Sequence, residues 1–301
     1  MAVGVWGCAC RGVGRVTTPG AVGWRSGGGY RDGVTTLNTP SVGTLLREHR
    51  RRGGLSQLAL ASQAGVSSRH LSFVETGRTR PSREMILTLA EHLDVPLRER
   101  NRLLLAGGYA PAYPEHSLRA PEMAPVRAAV RQVLAGHEPY PALTVDRLYN
   151  IVDLNDAART LLGSGVSPAL LAPPSNSLRV GLHPQGFAPR VVNLGEWRAH
   201  LLRRLQRQVD LTGDEGLSAL YEELVALPCD QEEPEVELPG PGDVVVPLRL
   251  LYRGNELVFF STLAVIGTPL EVTASEIVIE AFFPADSATA GFLNEHARAT
   301  H

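Results

Sequence analysis

The feature that most constrains this chain is a pattern of small and apolar residues within positions 56–77. Five positions carry the pattern: Gln57, Ala61, Gly65, Leu71 and Val74. A small residue at Ala61 lets two helices cross at close range, and Gly65 permits a tight turn between them. The spacing therefore predicts a helix-turn-helix, and an ordinary helical bundle with the same periodicity is the alternative.

If those residues face inward, the second helix of the pair turns four side chains outward. They are Ser68, Arg69, Ser72 and Phe73. Hydroxyl groups, an arginine able to make paired hydrogen bonds and an aromatic ring are groups that can read the DNA major groove. Ser67 or Ser68 is expected to cap this helix. We therefore expect this face to contact base edges.

Capping serines and helix-ending glycines and prolines divide the surrounding sequence into five short helices. We expect these helices to begin at Ser41, Gln57, Ser67 or Ser68, Ser82 and Leu97. The turns between them are short enough for neighbouring helices to pack directly. The pattern predicts a compact all-α domain over residues 41–107.

This domain resembles a known class of DNA-binding head. The stretches 55–57, 64–67 and 75–78, together with Ala61, resemble the helix-turn-helix of XRE-type regulators, the type of the phage Cro and C1 repressors. The resemblance covers residues 41–107. It implies that the four outward side chains named above meet base edges.

The same resemblance implies contacts with the DNA backbone. It places Gln57 beside a phosphate at a helix N-terminus, and it places Arg78 and Arg80 in a basic loop along the backbone. His70 matches either a backbone contact or a spectator position. Glu75 is expected to hold the loop in shape, because phosphates would repel an exposed carboxylate. The predicted DNA site is Gln57, Ser67, Ser68, Arg69, His70, Ser72, Phe73, Arg78 and Arg80.

Charge is distributed unevenly along the 301 residues, and every basic residue is an arginine. Four arginines and one acid give +3 in residues 1–40, and eleven arginines and six acids give +5 in 41–110. Fourteen arginines and twenty-four acids give −10 in 111–301. A basic N-terminal part joined to an acidic remainder indicates a polyanion-binding module attached to a part that does not touch DNA.

Several classes of protein and site are not supported by the residues. There is no stretch of roughly 18 uncharged apolar residues, so no membrane span is predicted. The three cysteines lack the spacing of a disulfide framework, and the nine histidines lack metal-ligand spacing. We expect a cytoplasmic, nucleoid-associated protein without a metal or other cofactor, apart from a bound apolar ligand.

Residues 1–40 hold ten of the 30 glycines and show no hydrophobic period. Such a segment buries too little apolar surface to offset its ordering entropy. We expect it to be disordered, or to be a spurious extension from an upstream start codon with the native start near Val34. A basic arm that grasps DNA is the third interpretation.

The rest of the chain is expected to comprise a linker at 108–125, an α+β domain at 126–290 and a tail at 291–301. Strands are predicted at Ala142–Val145, 148–152, 244–251, 256–266 and 276–283, and helices at 126–134, at Asp156–Leu162 after the cap Asn155, and around residues 194–209 and 217–227. This order of strand, turn, strand, cap and helix is how a PAS-type sensor domain begins. A curved antiparallel sheet covered by helices would enclose one cavity.

This region resembles the ligand-binding domain of MmyB-like regulators over about residues 115–290. The resemblance is carried by His137-Glu138-Pro139, Pro141-Ala142-Leu143, Asn176, Leu178-Arg179, His183-Pro184, Asn193, Trp197, Phe259-Phe260-Ser261-Thr262, Gly267-Thr268-Pro269, Val272-Thr273, Glu280 and Phe282-Phe283-Pro284-Ala285-Asp286. It implies a PAS-like domain that holds fatty-acid-like ligands and is joined to an XRE-type head.

Six residues are predicted to contact the ligand: Leu143, Trp197, Leu201, Phe260, Thr262 and Phe283. Because side chains alternate along a strand, only one of Phe259 and Phe260 can face the cavity. The same holds for Phe282 and Phe283. Core packing without any ligand explains these aromatic residues equally well.

Together these patterns predict a sequence-specific transcription regulator that binds DNA and responds to an apolar, fatty-acid-like ligand. One head buries little DNA surface, so we expect a homodimer on a two-fold double-stranded operator. One alternative is a constitutive DNA binder whose C-terminal domain serves only dimerisation. The other is a DNA-tethered enzyme, although no nucleophile–base spacing or phosphate loop indicates a catalytic residue.

Overall fold

The computed structural model describes residues 40–232, 246–266 and 270–300. Three predicted segments lie outside the described residues. They are the N-terminal extension except residue 40, residues 244 and 245 of the strand predicted at 244–251, and the motif at 267–269. No helix of the described ranges is long and apolar enough to cross a membrane.

Five helices form the N-terminal domain, residues 41–107, which is called the head below. They are α1 (Val42–Arg52), α2 (Gln57–Gln63), α3 (Ser68–Glu75), α4 (Arg83–His92) and α5 (Leu97–Ala106). A serine side chain caps each of the first four by accepting a hydrogen bond from a first-turn backbone N–H, and the caps are Ser41, Ser56, Ser67 and Ser82. These caps satisfy N–H groups that have no partner within the helix.

Two glycines decide how the helices of the head approach one another. Gly65 lies between α2 and α3 with φ +66°, in the left-handed region that favours glycine. Gly43 lies where α1 crosses α3, and a Cβ added there would stand 2.1 Å from the carbonyl oxygen of Val74. Sequence reasoning placed the close approach at Ala61, which is buried, and it missed Gly43.

The C-terminal domain, residues 124–300, alternates helices with five strands. Its helices are α6 (Ala124–Gly136), α7 (Asp156–Leu162), α8 (Pro168–Leu171), α9 (Ser177–Leu182), α10 (Leu194–Thr212), α11 (Glu215–Val225), α12 (Val272–Ser275) and α13 (Ser287–Thr300). Its strands are β1 (Ala142–Val145), β2 (Ile151–Leu154), β3 (Leu248–Tyr252), β4 (Asn255–Val265) and β5 (Val278–Pro284). Short 3-10 turns lie at Pro121–Met123 and Ala188–Arg190.

The five strands form one curved antiparallel sheet in the order β2-β1-β5-β4-β3. A two-residue turn at Arg253 and Gly254, with φ values of +50° and +80°, joins β3 to β4 in a hairpin. Helices cover both faces of the sheet. One face packs against α10 and α11 in the larger core, and the other packs against Val130 and Leu134 of α6.

Several elements differ from their predicted positions, and β3, predicted at 244–251, is Leu248–Tyr252. The second strand begins at Ile151 instead of residue 148, because Asp146 accepts hydrogen bonds from the backbone N–H groups of Leu148 and Asn150 and holds them in a turn. The residues predicted as a tail at 291–301 lie largely in α13, where Leu293 is 6% exposed and belongs to the core. Only a few apolar residues mark this helix, so its amphipathic period is weak.

Candidate DNA-binding face and ligand cavity

Helix α3 carries most of the predicted base-reading side chains on one side of the head. Ser68, Arg69 and His70 are exposed, while Ser72 and Phe73 are half-buried. Ser67 is the cap, and its hydroxyl accepts a hydrogen bond from the N–H of His70 at 3.1 Å. The predicted helix start therefore has Ser67, and not Ser68, as its capping residue.

The ring of Phe73 contacts two arginine side chains at this face. The guanidinium of Arg69 lies 5.4 Å from the centre of the Phe73 ring, and that of Arg78 lies 5.8 Å from it. Cation–π contacts of this kind favour an extended arginine with a defined direction. Neither guanidinium donates a hydrogen bond to another described residue, so both keep their donors available.

Behind α3, Glu75 anchors a buried polar network. Its side chain is 1% exposed, and its two oxygens accept hydrogen bonds from Nε and Nη2 of Arg50 at 2.6 and 2.8 Å. Gln57 donates to the same carboxylate at 2.8 Å, and Nη1 of Arg50 donates to the carbonyl of Leu55 at 2.7 Å. Burial disfavours the charge, but the hydrogen bonds from Arg50 and Gln57 outweigh burial and lower the pKa of Glu75.

This network gives Gln57 a neighbour that sequence reasoning did not find. The side-chain amide of Gln57 contacts Glu75 within the protein, whereas the resemblance placed it beside a phosphate. Arg50, which sequence reasoning did not single out, also points into the head. The signal was available, because Arg50 follows the buried Leu46 by four residues and so shares its helix face.

Arg80 also has partners within the protein. Its Nε and Nη2 atoms donate to the carbonyl of Gly107 at 2.9 and 2.7 Å, and its guanidinium lies 5.3 Å from the Tyr109 ring centre. Arg80 therefore ties the loop after α3 to the end of α5. Of the two arginines predicted for the basic loop, Arg78 is the one whose guanidinium donates no hydrogen bond to another described residue.

The C-terminal domain encloses an apolar cavity of about 90 Å³ between the sheet and helices α7, α9 and α10. Its wall includes Leu143, Leu161, Leu178, Phe187, Trp197, Leu201, Leu250, Phe259 and Phe282. An apolar cavity of roughly 150 Å³ is known to admit benzene, and this one is smaller. A larger ligand would displace part of the wall or extend out of the cavity.

The strand register decides which predicted ligand contacts reach the cavity. Leu143, Trp197 and Leu201 line it, whereas Phe260, Thr262 and Phe283 do not. Phe260 pairs with Phe283 across β4 and β5, and their rings stack at 5.3 Å on the opposite face.

Phe259 and Phe282 take the places that were predicted for Phe260 and Phe283. They face the cavity with their ring centres 6.3 Å apart. The period along β4 contained a hint, because Leu257 is apolar in the register of Phe259, whereas Glu256 is charged in the register of Phe260.

Two polar groups, Glu280 and Ser177, also line the cavity, and sequence reasoning selected neither as a ligand contact. Oε1 of Glu280 accepts a hydrogen bond from Nη1 of Arg204 at 3.3 Å, and the Arg204 guanidinium lies 5.3 Å from the ring centre of Tyr149. Burial acts against the charge of Arg204, but Glu280 and Tyr149 raise its pKa. Within the described ranges, the Ser177 hydroxyl has no hydrogen-bond partner.

Ion pairs and backbone contacts join the two regions. Arg98 of α5 donates to both oxygens of Glu276 at 2.8 and 2.9 Å and to Glu115 at 2.6 Å. Arg52 of α1 donates to the carbonyl of Thr212, at the end of α10, at 3.1 Å. Glu276 lies just before β5, so both contacts reach elements that line the cavity.

The segment predicted as a linker lies between the same elements. The Asn101 side chain of α5 accepts hydrogen bonds from the N–H groups of Ala112 and Tyr113. On the other side, the N–H of Val272 donates to the carbonyl of Pro114. Among residues 40–232, 246–266 and 270–300, no group of three or more His, Cys, Asp or Glu side chains is arranged to hold a metal ion.

Comparison with protein families assigns both regions. A helix-turn-helix domain family matches residues 41–103. The MmyB-like transcription regulator ligand binding domain family matches residues 126–295, which is more than half of the chain. The chain belongs to the MmyB-like transcription regulators. Its C-terminal domain is the MmyB-like domain, and its head is a helix-turn-helix.

Other comparisons are more distant. A search of curated proteins gave no match. Among solved structures, the MmyB-like chain is similar to one described as an RNA-binding light-oxygen-voltage receptor, with 12% identity and a TM-score of 0.27. That alignment covers 87% of this chain and 65% of the receptor chain.

Proposed function

We propose that this MmyB-like regulator changes its affinity for a DNA operator when an apolar small molecule enters the cavity of its MmyB-like domain. One observation carries the proposal. Helix α10 and strand β5 line the cavity, and residues at or next to their ends, Thr212 and Glu276, contact the head. We propose that a ligand larger than about 90 Å³ displaces these walls. Movement of α10 or β5 would act on Arg52 or Arg98 of the head.

For DNA, we propose that Ser68, Arg69, Ser72 and Phe73 read base edges, with Ser67 and His70 beside them. Arg78 supplies the phosphate contact of the following loop. We keep Gln57 and Arg80 as proposed contacts with the DNA backbone. The amide of Gln57 is held by Glu75, and the exposed Arg80 donates to the protein through Nε and Nη2.

The DNA assignment is tested with an operator selected from random duplexes by the full-length protein. Arg69→Ala is expected to weaken binding by about 1–3 kcal/mol and to relax specificity at one base pair. Arg78→Ala should weaken all sequences to a similar extent and reduce the salt dependence by about one phosphate contact. If both variants lose equal affinity for operator and random DNA, the groove assignment is wrong.

For the ligand, we propose contacts from Leu143, Trp197 and Leu201, joined by Phe259 and Phe282. The apolar wall favours a hydrocarbon body, and the fatty-acid-like class follows from the family resemblance. A long chain exceeds the cavity as it stands, so its binding would favour a protein state with displaced walls. A ligand shifts an equilibrium only through such a difference in affinity between states.

The regulatory proposal is tested by titrating the delipidated full-length protein with its operator in the presence and absence of fatty acids of increasing chain length. We expect a 5–150-fold change in operator affinity, about 1–3 kcal/mol of coupling. Operator affinity that stays constant across the panel, in folded protein, would leave a constitutive DNA binder.

Arg98→Met provides a sharper version of this experiment. The substitution removes the ion pairs with Glu276 and Glu115 but lies on α5, away from the DNA-reading side of α3. We expect the substitution to reduce the ligand-induced change in operator affinity severalfold. Operator affinity in the absence of ligand should change less. Arg102→Met, in the exposed pair with Glu99 on the same helix, is the matched control.

We further propose that the protein acts as a homodimer in the cytoplasm, associated with the nucleoid through DNA. Two heads on one two-fold operator would place half-sites about one helical turn apart. Sedimentation of the free protein and of its operator complex measures the stoichiometry. One chain per operator at saturation would contradict the dimer.

A further inference from the structure

The second half of strand β4 has an open edge. Strand β3 pairs with β4 only as far as Leu248, which lies opposite Phe259, whereas β5 pairs with β4 up to Val265. Among the described residues, the part of β4 that lies beyond β3 therefore has one neighbouring strand and not two. We call residues 261–265 of this part the β4 edge.

Backbone groups of the β4 edge point toward the open side. One step beyond the paired residues of β4 and β5, the N–H of Ala285 donates to the carbonyl of Val258 at 2.8 Å, so the even-numbered residues of β4 pair with β5. Hydrogen-bonding directions alternate along an antiparallel strand. The N–H and carbonyl groups of Ser261, Leu263 and Val265 therefore face away from β5, and no described residue is hydrogen-bonded to them.

The side chains of the β4 edge are exposed and uncharged. Leu263 is 50% exposed and Val265 is 59% exposed, and Thr262 and Ala264 on the other face of the strand are exposed as well. No charged residue occurs at positions 257–270. An open apolar edge pairs readily with another strand, so soluble proteins block such edges with charged residues or cover them.

The two outer edges of the same sheet are covered. At β3, the N–H of Val192 donates to the carbonyl of Arg249 at 2.8 Å, and the N–H of Arg249 donates to the Asn193 side chain at 3.1 Å. At β2, the N–H of Ile151 donates to the carbonyl of Ser175 at 2.7 Å. The β4 edge has no such partner among the described residues, which indicates that another strand covers it.

Charge and symmetry favour a second copy of this chain as that partner. Residues 111–301 carry fourteen arginines and twenty-four acids, so two such domains repel each other unless they meet through uncharged surface. The β4 edge is uncharged. When it pairs with its own copy in antiparallel orientation around a two-fold axis, each outward N–H meets a carbonyl of the other copy.

We propose that the β4 edge is the dimer surface of this protein and pairs with the β4 edge of a second copy. Leu263 then lies opposite Leu263 of the second copy, and Ser261 lies opposite Val265. The two sheets become one continuous sheet across the two-fold axis. This inference rests on the homodimer in the proposed function and names the surface that forms it.

Leu263→Lys tests the surface by its effect on association. Sedimentation equilibrium of the full-length protein over a range of concentrations measures the dissociation constant of the dimer. The substitution sets two ammonium groups opposite each other at the two-fold axis, and we expect the dissociation constant to rise by about 100-fold or more.

Leu251→Lys is the matched control for this measurement. Leu251 is 47% exposed and lies on the neighbouring strand β3, outside the β4 edge. The control should leave the dissociation constant within about two-fold of the parent value. Circular dichroism checks that both lysine variants are folded.

A cross-link tests the register and decides the question if Leu263→Lys does not fold. In a hydrogen-bonded antiparallel pair the two Cα atoms lie about 5.5 Å apart, which a disulfide can span. Leu263→Cys should therefore form a disulfide-linked dimer in oxidising buffer, as seen by non-reducing electrophoresis. Leu251→Cys, which has the same native cysteines, should remain at the level of the parent protein.

Each outcome bears on a different statement. If the parent protein is dimeric and Leu263→Lys associates as tightly, the β4 edge is overturned while the homodimer stands. Equal cross-linking of the two cysteine variants would likewise overturn the pairing at Leu263. If the parent protein stays monomeric, both alone and on the operator, the homodimer of the proposed function fails together with this inference.

Discussion

Both regions of the molecule bury an arginine–glutamate pair, and the two pairs differ in how completely their hydrogen bonds are satisfied. In the head, Arg50 and Glu75 share two short hydrogen bonds, and Gln57 and the carbonyl of Leu55 complete the network. In the MmyB-like domain, Arg204 and Glu280 share one bond of 3.3 Å, and Nε of Arg204 has no partner in the described ranges.

This difference matches where each region presents its functional groups. The head has its candidate base-reading side chains outside on α3, so its interior pair has only to hold two helices and a loop together. The MmyB-like domain has its candidate site inside, so its pair lies beside the cavity with unused capacity. A saturated pair resists change, because breaking it leaves a buried charge, whereas an unsaturated pair can accept a ligand.

The largest expected effect comes from breaking the saturated pair. Glu75→Gln leaves the Arg50 guanidinium buried beside a neutral amide and should lower the free energy of unfolding of the head by about 4 kcal/mol. Urea denaturation followed by circular dichroism measures the loss. The control is Glu48→Gln, which removes the exposed pair with Arg52 and should change stability by less than about 1 kcal/mol. Similar losses in the two variants would contradict the comparison.

The next prediction concerns the interior site. Phe259 is 1% exposed, and Phe259→Ala should cost about 3 kcal/mol while enlarging the cavity. Phe260→Ala, on the half-buried opposite face, should cost less and leave the cavity unchanged. Denaturation gives the stabilities, and binding of longer fatty acids reports the enlarged space. If Phe260→Ala bound longer ligands and Phe259→Ala did not, the ligand contacts would be Phe260 and Phe283, as the sequence predicted.

The head should also show a defined response to acid. Burial, reinforced by Arg52, lowers the pKa of His49 to about 4. Since the unfolded chain protonates this histidine near pH 6.5 and the folded head does not, stability falls as pH drops from 7 and should be about 2 kcal/mol lower at pH 5. Below about pH 4 this contribution levels off.

The His49 contribution is isolated by a variant. His49→Gln should lose stability less steeply than the parent protein between pH 7 and pH 5, as judged from thermal unfolding at each pH. The comparison concerns the slope, so a general loss of stability in the variant does not affect it. Parallel curves for the two proteins would show that His49 is not the group that titrates.

The smallest effect is expected at the unsaturated pair. Glu280→Gln replaces one long hydrogen bond by another and should lower the free energy of unfolding by about 1 kcal/mol. The measurement is the same denaturation as for Glu75→Gln, so the two pairs are compared directly. A loss as large as that of Glu75→Gln would mean that Glu280 is a structural residue and that its spare capacity is not available to a ligand.

Local sequence determined the head almost completely. Each of its helices is a single short segment, with a serine cap before four of them and an apolar face at a period of 3.6 residues, and such signals act between neighbours in the chain. The starting positions of α2 and α5 and the placement of the turn glycine Gly65 follow from these signals alone. The outward direction of Arg69 follows from the inward direction of Leu71 and Val74.

Only the tertiary structure decided how side chains far apart in sequence meet. Arg50 and Glu75 are 25 residues apart and Arg204 and Glu280 are 76 apart, so no local period reveals either pair. The choice of Phe259 over Phe260 follows from the β4–β5 register, because a shift of one residue turns every side chain to the other face. Composition and pattern thus determined the two kinds of domain, while long-range strand pairing and helix packing decided which residues face the cavity.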